Sequence, residues 1–249
     1  MKILVVGATG MLGEPVARQL QADGYTVRIL SRDMEKARAK FGERFELVKG
    51  DVEQPDTIRS ALAGCDGVHI NLAGGPTAAA YDRIEHGGTA TVAQAAAAAG
   101  VPHLTYLSGF SVNEANRKDN ETNAKFLAET AVKASGVPYT IFRATWFMES
   151  LPLFVQNKRA TVIGKQVAPL HWVAAQDYAQ MVSNAYKTAE VVNKTLYIFG
   201  PEATSMTEAV KIYQTAVRPD VSFSTMPTWL LALMGSLSRD AKLKDIAQL

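Results

Sequence analysis

The chain has 249 residues, 26 basic and 24 acidic side chains, and one cysteine, Cys65. This length is enough for one well-buried core, and a formal net charge of +2 without runs of like charge argues against nucleic acid as a partner. The lone cysteine excludes an internal disulfide framework, and neither a secretory signal nor a run of about 20 apolar residues for a membrane span is found. We therefore expect a cytoplasmic protein.

Strand-like and helix-like segments alternate over the first two-thirds of the chain. The predicted strands are Ile3–Val6, Thr26–Leu30, Arg44–Lys49, Gly67–Leu72, Leu104–Leu107 and Tyr139–Arg143. The predicted helices between them are Glu14–Ala22, Met34–Lys40, Asp56–Ala63, Tyr81–Ala99 and Thr122–Ala134. Such alternation predicts the α/β class, with a Rossmann-type doubly wound parallel sheet that carries helices on both faces.

Three glycines follow the first predicted strand in the spacing Gly-x-x-Gly-x-x-Gly. Gly7 would allow a tight turn, Gly10 a close approach of the backbone to a pyrophosphate, and Gly13 close packing of the next helix on the strand. The N–H groups and the positive dipole end of that helix would face the phosphate charge. The stretch therefore predicts a dinucleotide-binding site. Thr9, Met11 and Leu12, in the same turn, are predicted to belong to it.

The second predicted strand is followed by Ser31, Arg32 and Asp33. A carboxylate at this place would bind a free ribose 2′-hydroxyl, whereas a guanidinium pairs with a 2′-phosphate. Arg32, with the Ser31 hydroxyl beside it, favours NADP(H) over NAD(H). Asp33 leaves an alternative open, because it either caps the following helix or itself contacts the ribose.

Beyond about Ala144 the regular alternation stops. We expect residues 1–150 to form an NAD(P)-binding Rossmann domain and residues 151–249 a small C-terminal α+β cap on the substrate side, integrated with the first domain. The tail, Met226 to Leu249, resembles an amphipathic helix or two, which either pack on the body or contact a homodimer mate, another protein or a membrane surface. The predicted elements of this half are strands at Ala160–Ile163 and Thr195–Phe199 and helices at Asp177–Thr188 and Thr207–Val217.

The stretch Gly-Ala-Thr-Gly-Met-Leu-Gly at 7–13 resembles the atypical short-chain dehydrogenase/reductase superfamily. Residues 121–149, with a lysine on a helix, a Ser-Gly bend and a Tyr-Thr-Ile strand, narrow this resemblance to the NmrA-like branch. That branch includes NAD(P)H-dependent quinone reductases and redox-sensing regulators. The resemblance implies a cofactor site that also contains Asp51 and Val52 at the adenine, the backbone of Leu72, Ala73 and Gly74 near the nicotinamide ribose, and Ala144 near the carboxamide.

The resemblance also indicates catalytic residues. Lys125 would hold the ribose hydroxyls of the nicotinamide, and Ser108 occupies the position of the superfamily's active-site Ser or Thr. The superfamily's Tyr-x-x-x-Lys pair is incomplete, because Glu121 stands where the tyrosine belongs. Ordinary carbonyl reduction requires a positioned proton donor, whereas a reduced quinone is a delocalised anion that water can protonate.

We therefore expect an NADPH-dependent reductase whose substrate is a planar small molecule such as a quinone. The alternative is a regulator that binds NAD(P) without turning it over, a role that the absent tyrosine also fits. Trp146 and Phe147 would form an apolar wall for the acceptor or simply pack in the core, and His86 is a further candidate on the substrate side. None of the four histidines has metal-ligand spacing, so we expect no metal site.

Overall fold

The computed structural model describes residues 1–75, 77–164 and 168–230. It divides the chain into two compact units. The first comprises Met1–Thr145 and Val173–Phe199, and the second comprises Trp146–Trp172 and the described residues from Gly200 onward. In this division residues 173–199 belong to the first unit, whereas the sequence predicts a boundary at residue 150.

The strands are β1 (Lys2–Val6), β2 (Thr26–Ser31), β3 (Glu46–Lys49), β4 (Gly67–Ile70), β5 (Leu104–Gly109), β6 (Tyr139–Ala144), β7 (Val155–Gln156), β8 (Arg159–Ile163), β9 (Pro169–His171), β10 (Lys194–Ile198), β11 (Ala203–Ser205) and β12 (Ser222–Met226). The α-helices are α1 (Gly13–Ala22), α2 (Met34–Phe41), α3 (Pro55–Leu62), α4 (Ala78–Ala80), α5 (Gly88–Ala98), α6 (Asn120–Ala134), α7 (Ala175–Ala185) and α8 (Met206–Val217). A π-helical segment, Tyr81–Gly87, joins α4 to α5.

The first unit is built on a seven-stranded sheet in the order β10-β6-β5-β4-β1-β2-β3. Every neighbouring pair in it is parallel, which confirms the predicted Rossmann-type doubly wound sheet. The chain leaves β1 toward β2 and β3 on one side and returns to β4 on the other. The crevice at the carboxyl ends of β1 and β4 is therefore the topological switch point, where α/β sheets bind ligands.

Alternate side chains of the central strands point to opposite helical layers. Leu4 and Tyr106 belong to one buried cluster with Val92 of α5 and Val132 of α6. On the other face, His69 of β4 contacts the hydroxyl of Tyr178 in α7. The sheet is thus buried on both faces, as its continuous apolar strands require.

Two elements of the first unit differ from their predicted form. The predicted helix Tyr81–Ala99 is interrupted, because its first seven residues are π-helical and the α-helical part begins only at Gly88. The predicted strand at Thr195 is β10, which pairs in parallel with β6 and forms the edge of the main sheet instead of part of a cap. A short strand carries no sequence signal for the sheet that it joins.

The second unit has α+β content. One sheet has the order β12-β8-β7 and a two-stranded ribbon pairs β11 with β9. Its core contains Val162, Trp172, Met206 and Val210, and the Trp172 indole donates to the carbonyl of Thr204 at 3.1 Å. The predicted helical tail begins at Met226, which the structure places at the end of β12, and residues 231–249 of that tail lie outside the described residues. In the described ranges, none of the helices is long and apolar enough to cross a membrane.

His69 makes stability depend on pH. Its fully buried ring contacts the hydroxyls of Thr105 at 2.9 Å and Tyr178 at 3.3 Å, and burial lowers the pKa of His69 to about 3. The unfolded chain takes up this proton near pH 6.5. Between these two values the unfolded state binds more protons than the folded state. The contribution of His69 to the free energy of unfolding is therefore fully present above about pH 6.5, and it falls as the pH decreases, by up to about 1.4 kcal/mol per pH unit.

We expect the His69→Gln variant to lose part of this dependence. Urea unfolding at about pH 7 and about pH 5.5 should show a smaller difference in unfolding free energy for this variant than for the unaltered protein. Burial also lowers the pKa of His103, so some dependence remains. His86→Gln, at a partly exposed histidine, is the control and should behave like the unaltered protein. Equal pH dependence in all three proteins would contradict the assignment to His69.

Candidate functional site

Two of the three glycines in the turn after β1 are needed because a side chain there would collide with the backbone. Gly7 has a φ of +84°, and a Cβ on it would lie 1.8 Å from the carbonyl oxygen of Asn71. A Cβ on Gly13 would lie 2.3 Å from the carbonyl oxygen of Gly7. At Gly10 the nearest atom to a Cβ is 3.3 Å away, so the turn itself needs this glycine far less. The missing side chain of Gly10 leaves room for a ligand against the backbone.

The start of α1 presents hydrogen-bond donors beside this turn. Leu12, at the N-cap, supplies no side-chain hydrogen bond. Within the described chain, the N–H groups of Met11, Leu12 and Gly13 have no backbone acceptor. Unsatisfied N–H groups and the helix dipole together form a site that attracts an anion such as phosphate.

A crevice of about 440 Å³ opens beside the turn in the first unit. It is lined by the ends of β1, β2 and β4 and by segments that follow β3 and precede α5. Predicted cofactor residues in its wall are Gly7, Thr9, Gly10, Ser31, Arg32, Asp51, Val52, Leu72 and Ala73. Met11, Leu12, Gly13, Gly74, Lys125 and Ala144 were also predicted and are not part of this lining. Ala144 ends β6, and its carbonyl accepts the N–H of Phe110 at 2.8 Å.

One wall of the crevice carries two cations. Arg32 and Lys36 are exposed and line the crevice together, and neither forms an ion pair with a residue that the structure describes. The Asp33 carboxylate accepts the backbone N–H of Lys36 at 3.0 Å. Asp33 therefore caps α2, which is one of its two predicted roles. The Ser31 hydroxyl donates to the Asp33 carbonyl at 2.7 Å and stabilises the same turn.

The predicted lysine lies in a second cluster of the first unit. Lys125 of α6 forms an ion pair with Glu85 of the π-helical segment, and the two side chains are only 13% and 1% exposed. The other oxygen of Glu85 accepts the N–H of Gly74 at 3.1 Å. The Glu121 carboxylate lies 3.9 Å from the Lys125 ammonium. A buried carboxylate is stable only when it is paired and hydrogen-bonded, so these contacts fix the position of Lys125.

Tyr81 completes this cluster. Its hydroxyl lies 3.5 Å from the Glu121 carboxylate. Burial and the nearby charges of Glu121 and Glu85 raise the pKa of Tyr81 to about 12. The phenol therefore stays protonated throughout the neutral range.

Ser108 belongs to a different network. Its buried hydroxyl donates to Glu129 at 2.7 Å, and Arg143 binds the same carboxylate through two nitrogens, each at 2.8 Å. Burial acts to raise the pKa of Glu129, but hydrogen bonds from Arg143 and Ser108 hold it below its ordinary value. These contacts give Ser108 a place in a buried polar network and lend no support to the predicted catalytic role.

The predicted substrate residues fall into different units. His86, in the first unit, lies 2.8 Å from the carboxylate of Asp82. Trp146 and Phe147 are in the second unit. Trp146 is 46% exposed and its ring is 6.2 Å from that of Trp172, whereas Phe147 is largely buried. Asp51 lines the crevice, and its carboxylate accepts the N–H of Glu53 at 3.1 Å.

Sequence reasoning missed Lys36, Tyr81 and Glu85. Lys36 could have been found, because it lies four residues after Arg32, in the first turn of the helix that follows. Tyr81 and Glu85 carried no such signal, since they precede Lys125 by about 40 residues in a segment that the sequence predicts to be an ordinary helix.

The model of the NmrA-like family matches residues 1–241. The (4-alkanoyl-5-oxo-2,5-dihydrofuran-3-yl)methyl phosphate reductase of Streptomyces griseus subsp. griseus is 33% identical over 221 residues, covering 87% of this chain and 74% of the relative. The NAD(P)H azoreductase of Xenophilus azovorans is 30% identical over 226 residues, with the same two coverages of 87% and 74%. The photosystem II assembly factor Ycf39 of Trieres chinensis is 27% identical over 250 residues, covering 95% and 76%.

Among solved structures, the triphenylmethane reductase of Citrobacter sp. complexed with NADP(H) is similar to this chain, with a TM-score of 0.77. The match covers 100% of this chain and 88% of the reductase at 20% identity. At this level of identity the likeness shows the shared fold.

Two alanine variants separate ligand binding from folding. We expect Gly10→Ala to fold with a smaller loss of melting temperature than Gly13→Ala and to bind NADPH at least about tenfold more weakly, because a methyl group then occupies the space against the backbone. Gly13→Ala, which forces a Cβ against backbone atoms, should cost about 1–3 kcal/mol in stability. Melting temperature and fluorescence titration with NADPH measure the two effects. Equal NADPH affinity in Gly10→Ala and the unaltered protein would show that the ligand does not approach Gly10.

Proposed function

Because the chain belongs to the NmrA-like family, we propose that it is an NADPH-dependent reductase that transfers hydride to a planar acceptor such as a quinone. The observation that carries this proposal is the crevice at the switch point, with a bare Gly10 backbone and the two unpaired cations Arg32 and Lys36 in its wall. The two relatives whose names describe reductases, at 33% and 30% identity, support the reaction class.

The residues fit a dinucleotide. The N–H groups at the start of α1 would bind the pyrophosphate beside Gly10. Val52 and Leu72, which pack against the Cα of Gly88, offer an apolar surface to the adenine. Lys125 would donate to the ribose hydroxyls of the nicotinamide, because its ammonium keeps donors beyond those that Glu85 accepts.

The preference for NADP(H) rests on charge. Arg32 and Lys36 offer two positive charges to a 2′-phosphate, for which a guanidinium is well suited. Of the two acidic groups that line the crevice, Asp33 lies between these cations in sequence, and one oxygen of its carboxylate accepts the N–H of Lys36. The cationic pair favours NADP(H) over NAD(H), because a ribose 2′-hydroxyl carries no charge to pair with it.

When bound, the reduced nicotinamide supplies a hydride. The ion pair with Glu85 holds Lys125 in one position, so this lysine acts by orienting the ribose. A delocalised acceptor such as a quinone suits this arrangement, because its reduced anion takes a proton from water without a catalytic acid.

A second candidate function is binding of NAD(P) without turnover, as in a redox-sensing regulator. Glu121 at the position of the superfamily's tyrosine and the two carboxylates beside Lys125 favour it. The relative named as a photosystem II assembly factor bears a name that describes assembly and no reaction.

The fluorescence of NADPH, followed over time with purified protein, distinguishes the two functions. We expect an enhancement on binding, then a protein-dependent decay when benzoquinone, naphthoquinone or an azo dye is added. Binding without decay for every acceptor would reject the reductase and favour the regulator. Absence of binding would reject both functions.

The cofactor preference is tested by single alanine substitutions in the cationic wall. We expect Arg32→Ala and Lys36→Ala each to weaken NADPH binding by about 10-fold or more, since each removes a charge-assisted hydrogen bond, and to leave NADH binding nearly unchanged. Arg38→Ala, at an exposed arginine of α2 that does not line the crevice, is the matched control. Equal losses for NADPH and NADH would contradict a contact with the 2′-phosphate.

A further inference from the structure

The proposed reaction lacks a proton donor at residue 121, and the tyrosines of the chain can be tested one by one for that role. Four of the eight are buried and have no access to a ligand, namely Tyr25, Tyr106, Tyr178 and Tyr186. Tyr139 begins β6, at the opposite end of the sheet from the crevice, and Tyr213 lies in the second unit. Tyr197 lies on β10, the edge strand three strands away from β4, and its hydroxyl is held by Arg143 at 2.7 Å. Tyr81 is the remaining phenol.

In the superfamily, the tyrosine of the Tyr-x-x-x-Lys pair lies on the same helix as the lysine. Here Tyr81, from a different segment of the chain, lies near Lys125 in its place. Its ring packs on the backbone that follows β4, since a Cβ on Gly74 would lie 2.5 Å from the ring. Its hydroxyl is 3.5 Å from the Glu121 carboxylate, and the other oxygen of Glu121 is 3.9 Å from the Lys125 ammonium. The Tyr81 hydroxyl and the Lys125 ammonium thus both lie near the Glu121 carboxylate.

We propose that Tyr81 is the catalytic proton donor, and that the acceptor is an azo or carbonyl compound, whose polar double bond must gain a proton together with the hydride. This proposal rests on the hydride transfer of the proposed function, and it replaces the quinone by acceptors that require a catalytic acid. Hydride adds to one atom of the N=N or C=O bond, and the electron pair of that bond moves to the other atom. That atom takes the proton of the Tyr81 hydroxyl, and the phenolate that remains regains a proton from water.

The surrounding charges keep Tyr81 protonated, so that at neutral pH it has a proton to donate and does not act as a base. Glu121, Glu85 and Asp119 all disfavour the phenolate, and Lys125 is paired with Glu85. The proton therefore stays on Tyr81 until a stronger base accepts it. Anions formed from azo and carbonyl groups are such bases, whereas a hydroquinone anion is a weaker base than the phenolate of Tyr81.

The Tyr81→Phe variant tests the role, because it keeps the ring against Gly74 and removes only the hydroxyl. We expect turnover of methyl red or benzaldehyde to fall by about 100-fold or more, with the dissociation constant for NADPH and the melting temperature unchanged. Tyr197→Phe, at another partly exposed tyrosine of the same unit, is the matched control and should keep full activity. In the cofactor-free protein, ¹³C NMR of the tyrosine rings, assigned with Tyr81→Phe, should show the Tyr81 phenol protonated beyond its ordinary range.

The outcomes separate the two proposals. If the unaltered protein reduces no acceptor, the proposed function is rejected and this inference with it. If it reduces quinones but neither methyl red nor benzaldehyde, or if Tyr81→Phe retains turnover of the polar acceptors, the reductase stands and the role of Tyr81 is rejected. Ionisation of Tyr81 below its ordinary pKa, or a loss of activity in Tyr197→Phe equal to that in Tyr81→Phe, would also reject it.

Discussion

The arrangement of the lysine cluster depends on one buried charge, the carboxylate of Glu85. A carboxylate that is 1% exposed must have its charge paired and its oxygens hydrogen-bonded. Lys125 supplies the charge and the N–H of Gly74 supplies a hydrogen bond. One side chain therefore connects the π-helical segment, α6 and the chain after β4, which are far apart in sequence. Removing Glu85 would leave the Lys125 ammonium with only Glu121 beside it.

The π-helical segment is the local structure that makes this connection. π-helical turns are rare and occur frequently at functional sites. Here the segment brings Ile84 to the crevice, Glu85 to Lys125 and Tyr81 to Glu121. The glycine at 74 matters for the same reason, because any side chain there would collide with the Tyr81 ring.

Local sequence signals were enough for the sheet and for much of the crevice. The strand, glycine turn and helix at residues 3–22 occur as predicted, and Arg32 and Asp51 line the crevice because both follow strands of one parallel sheet. Contacts between distant segments could not be predicted. The pairing of β10 with β6 and that of Glu85 with Lys125 join residues that are 54 and 40 positions apart in sequence. Ser108 lies on the same face of β5 as Tyr106. The Ser108 hydroxyl therefore points toward Glu129 and not toward a ligand.

The two clusters have opposite charge, and this polarity suits the proposed cofactor. Arg32 and Lys36 make the adenosine wall positive, whereas Glu85 and Glu121 outnumber Lys125 at the other cluster. In the proposed complex the positive wall meets the 2′-phosphate and the negative cluster meets the nicotinamide end. Loss of hydride makes the nicotinamide ring positive, so preorganised carboxylates near it stabilise the charge that develops during transfer. The same carboxylates keep the Tyr81 proton in place. A cluster with a neutralised lysine thus favours hydride donation, while an unpaired lysine would oppose it.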